Sequence, residues 1–159
     1  AESKLAFSIH NYVGAVGTII CGWISAKFFK GKCAPANVIF MSLVTVGALI
    51  YWQIPALAAA TGIAAKVWAY VALILIGFCI YGPVALVTIQ AVNLVPKNAT
   101  GTAAGFVGIF GYLVGDSLLS KIIVGSIADY SWNAANLTMV IGAALGVVLC
   151  ILTIKSEKA

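Results

Sequence analysis

The chain has 159 residues, of which 63% are hydrophobic and 8% charged, with a mean hydropathy of +1.11 and a formal net charge of +5. A soluble domain carries roughly 25% charged residues and must keep its surface wet, so this composition excludes one and calls for a bilayer as solvent. The basic charge consists of nine Lys and no Arg, and most of these lysines punctuate apolar runs instead of clustering on one face, which excludes a nucleic-acid partner.

Ala1-Glu2-Ser3-Lys4 offers neither an initiating Met nor a signal peptide, so the chain is expected to begin inside a longer protein. A spanning helix needs ~20 mostly apolar residues, and five runs are marked, at about 5–29, 38–54, 67–95, 102–128 and 136–154. Backbone groups in hydrocarbon must bond within their own segment, which makes each run a helix; the alternation of a β-barrel strand is missing.

The first run carries His10, Asn11 and Tyr12 in its outer half, where consecutive positions point in different directions and one or two at most face a cavity. His10 reads either as a satisfied interfacial residue or as a proton carrier, since imidazole titrates near ~6.5. The link 30–35 leads to the second run and 55–66 to the third. Within the third, Tyr81-Gly82-Pro83 places a proline deep in a helix; Pro83 has no N–H to donate and crowds the preceding turn, so a kink and free carbonyls are expected there. Interrupted helices of this kind border substrate sites in transporters. Residues 96–98 turn the chain into the fourth run, whose Gly101, Gly105, Gly108, Gly111 and Gly115 suit close helix packing, as do Gly142 and Gly146 on the fifth. Tyr112, Asp116 and Ser120 recur at i, i+4, i+8, a polar stripe on one helical face. An acid at a helix centre costs roughly 2.5–3.5 kcal/mol on insertion scales, so Asp116 is expected to face the bundle interior, either toward a cavity or in a structural pair.

Short links make sequential spans antiparallel. Lys27, Lys30, Lys32, Lys97, Lys155 and Lys158 then fall on one side and Lys4 and Lys66 on the other, which puts the first group and the C-terminus in the cytoplasm. Trp52, Trp68 and Trp132 fall near the outer ends, where a belt of aromatics belongs. Cys21, Cys33, Cys79 and Cys150 form no CxxC or Cys/His cluster, so the sequence calls for no metal, no cofactor and no disulfide framework. There is no Ser/His/Asp arrangement, no carboxylate pair and no P-loop, and no enzymatic activity is expected.

The stretches 17–25 (GTIICGWIS), 76–83 (IGFCIYGP) and above all 96–113 (PKNATGTAAGFVGIFGYL) resemble the organophosphate:phosphate antiporter family of the major facilitator superfamily, and the resemblance extends over nearly the whole chain. It implies an all-α membrane protein in which 1–159 supplies about five transmembrane helices, the eighth to twelfth of a twelve-helix fold, with an N-terminal half contributed by the same protein. It implies exchange of an organic phosphate for inorganic phosphate by alternating access in the inner membrane, with glycerol 3-phosphate as first choice and either a hexose-6-phosphate transporter or a transporter-like sugar-phosphate sensor as alternatives. Tyrosines that line the site in the glycerol-3-phosphate branch match Tyr81 and Tyr112, while the family's phosphate-binding arginines belong to helices outside this chain. Three positions depart from that branch: Asn11 stands where a carboxylate is usual, Ser25-Ala26-Lys27 lacks the acid expected before its basic residue, and Asp116 replaces a small or polar residue. The candidate substrate-binding residues are therefore Tyr81, Tyr112, Asp116 and Asn11, with Gly82 and Pro83 as the candidate kink or gating point.

Overall fold

The computed structural model describes residues 2–113, 115 and 125–156. Its elements in chain order are α1 (Glu2–Phe28), α2 (Cys33–Trp52), a short α3 (Ile54–Thr61), α4 (Ala65–Asn93), a 3₁₀ turn (Lys97–Ala99), α5 (Thr100–Ile109), α6 (Gly125–Tyr130) and α7 (Trp132–Ser156). Among the described residues there is no strand.

Three of these helices, α2, α4 and the 132–154 part of α7, are long and apolar enough to cross a membrane. The 27 residues of α1 have the length, but His10, Asn11, Thr18 and Ser25 dilute its apolar character. The run marked at 102–128 includes residues outside the described set; its first part is α5, after which 110–113 and 115 take up wider π-helical turns. With three such helices and many large apolar side chains facing outward among the described residues, the chain is a multi-pass membrane protein, its exposed Leu, Ile, Val and Phe residues suited to lipid or to further helices.

Local chemistry sets the helix ends. Lys30 and Gly31 both have positive φ (54° and 83°), and the Gly31 amide reaches back six residues to the Ser25 carbonyl at 3.0 Å, a left-handed turn that stops α1. The Ser25 hydroxyl donates to the Lys32 carbonyl at 3.0 Å and ties the turn to the start of α2. The segment 55–66, read from sequence as a plain link, holds a helix of two turns: Pro55 stands in its first turn, where a missing N–H costs nothing, and Gly62 closes it in the left-handed region with its amide on the Ala58 carbonyl.

The centre of the bundle is α4, which packs against α1, α2 and α5, while α2 also packs against α7. Cys21, Cys33, Ala36, Phe40, Val44, Cys79 and Leu86 form the buried core where α1, α2 and α4 meet. Three cysteines scattered in sequence thus share one apolar cluster as small fillers. At the opposite end from the Lys30–Gly31 turn, the Trp52 indole donates to the Asn133 side-chain carbonyl at 2.5 Å, joining the end of α2 to the start of α7. Trp68 donates to the Thr61 hydroxyl at 3.2 Å at this same end.

Candidate substrate-facing site

α1 and α4 approach each other closely, and four glycines make it possible. A Cβ on Gly17 would run into the backbone carbonyl of Phe78, and one on Gly14 into the Tyr81 ring. In the other direction, a Cβ on Gly77 would come within 2.6 Å of His10 Nδ1, and one on Gly82 within 2.6 Å of Cys21. Each helix therefore lends the other a side-chain-free surface, and backbones approach as closely as small residues permit.

Tyr81 is held at this seam. Its hydroxyl donates to Asn11 Oδ1 at 2.7 Å across 70 residues of sequence, and its ring lies 5.9 Å from that of His10 at an interplanar angle of 59°. Tyr81 is 36% exposed, so its ring is partly seated on α1 while its edge stays open. His10 Nδ1 lies 3.2 Å from the Leu73 carbonyl on α4. Asn11, Tyr81 and His10 form one polar node on an otherwise apolar interface. A tyrosine hydroxyl both donates and accepts, and an amide offers both kinds of group, so the node suits recognition of a polar, oxygen-rich solute.

Gly82 and Pro83, next in sequence, are buried, and α4 runs on through Pro83 to Asn93. Pro83 supplies no amide to the Cys79 carbonyl, which in an unbroken α-helix would bond residue 83. Tyr112 is 77% exposed and lines an open groove of about 370 Å³ with Gly105, Gly108, Ile109 and Leu113. It sits in the π-helical stretch at 110–113, a geometry that recurs at functional sites. Among the described residues no hydrogen bond or ring contact joins Tyr112 to the Asn11–Tyr81 pair. Asp116 and Ser120 lie outside the described residues, so the proposed polar stripe is represented by Tyr112 alone.

The glycines between 101 and 115 are arranged unlike those of the seam. A Cβ on Gly101, Gly105, Gly108, Gly111 or Gly115 would meet nothing within 4 Å, and the same holds for Gly142, whereas Gly146 abuts Met41. The GxxxG pairs of the fourth run therefore face open space here, and the close approach belongs to Gly14, Gly17, Gly77 and Gly82. Sequence reading also passed over the pairing of His10 with α4; its only signal was a small residue, Gly77, that leaves room for a ring.

No family model matches the chain, and no solved structure matches it. Among curated proteins it is 41% identical over 158 residues to the glycerol-3-phosphate transporter of Bacillus subtilis, an alignment covering 99% of this chain and 34% of that protein. It is 32% identical over 149 residues to the membrane sensor protein UhpC of Escherichia coli, covering 92% of the chain and 32% of the sensor. It is 33% identical over 124 residues to the hexose-6-phosphate:phosphate antiporter of Escherichia coli, covering 77% of the chain and 24% of that protein. The chain spans about a third of the length of the first of these relatives.

Proposed function

We propose, from the premise that this chain belongs to the organophosphate:phosphate antiporter family of the major facilitator superfamily, that it is the C-terminal part of a carrier that takes up an organic phosphate in exchange for inorganic phosphate. In this reading α1 and α4 present one wall of the transport pathway, and the Asn11–Tyr81 pair and Tyr112 offer hydrogen bonds to substrate oxygens. The observation that carries it is the 2.7 Å bond from Tyr81 to Asn11 at a partly open helix seam, formed by the tyrosine that matches a site tyrosine of the glycerol-3-phosphate branch.

The family's phosphate-binding arginines belong to helices outside this chain, which has no arginine of its own, so in this reading those helices hold the phosphate and recognition here falls on the neutral part of the substrate. Glycerol 3-phosphate is the first substrate, on the strength of the identity to a glycerol-3-phosphate transporter. Asn11, neutral where that branch carries a carboxylate, alters the hydrogen-bonding edge offered to a polyol, and a hexose 6-phosphate is the competing substrate. Asp116 would face the same pathway and pair with a cation, and Gly82-Pro83 would be the point where α4 flexes during alternating access. The carrier lies in the inner membrane with its C-terminus in the cytoplasm, an orientation that rests on the lysine asymmetry.

The similarity to a membrane sensor keeps a second reading open, in which the same site binds sugar phosphate without moving it. Counterflow in proteoliposomes of the whole protein separates these. Glycerol 3-phosphate competing better than glucose 6-phosphate supports the first substrate; the reverse order assigns a hexose phosphate; saturable binding with no flux of either overturns transport in favour of sensing.

A further inference from the structure

We infer that His10 is a positioning residue for Tyr81: its imidazole, anchored on the α4 backbone, walls in the tyrosine ring so that the hydroxyl stays on Asn11. The inference rests on the reading of Tyr81 as a substrate-facing group.

Four observations converge on it. A carbonyl oxygen only accepts, so the 3.2 Å contact between His10 Nδ1 and the Leu73 carbonyl requires the proton on Nδ1. That carbonyl belongs to the turn that ends at Gly77, and Gly77 is where α4 leaves room: a Cβ there would lie 2.6 Å from His10 Nδ1 and 3.1 Å from Cε1. The imidazole therefore has a built seat, a hydrogen-bond acceptor beside a missing side chain. Its ring then faces Tyr81 at 5.9 Å. Tyr81 in turn lies over Gly14, one helical turn after His10, and bonds Asn11, the residue next to His10. On α1 the phenol is thus bounded by His10, Asn11 and Gly14.

Removing the imidazole opens the space above Gly77. The phenol can then swing along α4, and its hydroxyl leaves Asn11. A bound substrate would have to restore the productive rotamer, which weakens apparent affinity and leaves the maximal rate nearly unchanged. Seating the ring through one partly buried hydrogen bond and one ring contact corresponds to roughly a five- to tenfold rise in KM for His10→Ala.

The test is a double-mutant cycle in the whole transporter, assayed by organic phosphate exchange in proteoliposomes. His10→Ala is expected to raise KM in the wild-type background and to add almost nothing in the Tyr81→Phe background, because the hydroxyl it positions is already gone. Equal effects in both backgrounds, or a KM unchanged by His10→Ala while Tyr81→Phe is impaired, overturn the inference. Unimpaired exchange by Tyr81→Phe overturns the substrate reading instead. His10→Phe serves if His10→Ala fails to assemble, since it fills the seat without the anchor and should show a smaller rise of the same kind. Independently of flux, the nitrogen-15 spectrum of His10, assigned by its loss in His10→Phe, should show a ring protonated at Nδ1; a neutral ring protonated at Nε2 overturns the proposal.

Discussion

Replacing Gly17 by alanine puts the helix seam to its severest test. The new methyl would collide with the Phe78 backbone carbonyl, and a helix backbone cannot step aside as the tip of a flexible side chain can. The two helices must separate instead, which stretches the Tyr81–Asn11 bond and loosens the packing around Cys21 and Cys79. Overpacking of this kind costs about 1–3 kcal/mol, against which the better helix propensity of alanine returns about 1 kcal/mol. Gly22 supplies the control: it lies on the same helix, and a Cβ there meets nothing within 4 Å, so Gly22→Ala gains the propensity alone. The expected gap between the two variants is then about 1–3 kcal/mol, the overpacking cost itself. Thermal denaturation of the whole protein in detergent, followed by the fraction remaining monodisperse, should rank Gly22→Ala at or above wild type and Gly17→Ala clearly below Gly22→Ala. Equal stability of the two alanine variants would refute the close approach of α1 and α4.

Asn37 is 1% exposed, and both of its side-chain polar atoms lack a hydrogen-bond partner among the described residues; Asn37→Leu should therefore raise thermal stability by about 1–3 kcal/mol, and a loss of stability would show that the amide is paired. The Trp52–Asn133 bond predicts that Asn133→Ala lowers thermal stability by about 0.5–1.5 kcal/mol in the wild-type background and adds almost nothing in a Trp52→Phe background; equal losses in both backgrounds would argue against that contact. Membrane-impermeant maleimide should label Gly31→Cys from the cytoplasmic side and Gly62→Cys from the outside, and the opposite pattern would reverse the orientation drawn from the lysines.

Much of the architecture was legible because bilayer solvation leaves so few choices. Apolar runs near 38–54, 67–95 and 136–154 overlie α2, α4 and α7, since a helix is the structure that satisfies such a backbone in lipid. The short α3 was overlooked although its signals were present: Pro55 at the start and Gly62 at the stop are ordinary helix boundaries, masked by the expectation that a loop joins two spans. Tyr81 and Asn11 were both singled out, yet nothing in the sequence says they touch, because their contact depends on the rotational register of α1 against α4. The glycines show the same limit. A GxxxG spacing signals that a helix can be approached, not that it is, and the seam forms at Gly14, Gly17, Gly77 and Gly82 while the richer pattern on α5 stays uncovered. Tyr112 lies in π-helical turns, so the α-helical i, i+4 spacing that grouped it with Asp116 and Ser120 does not describe its own turn.

The proposed function requires that the whole protein couple organic phosphate uptake to inorganic phosphate release. Uptake of radiolabelled glycerol 3-phosphate into proteoliposomes, with and without inorganic phosphate inside, tests it most directly. Rapid uptake that requires internal phosphate, falling at least tenfold in Tyr81→Phe (about 1.4 kcal/mol of transition-state stabilisation), is expected. Uptake indifferent to internal phosphate, or equal in wild type and Tyr81→Phe, would contradict it.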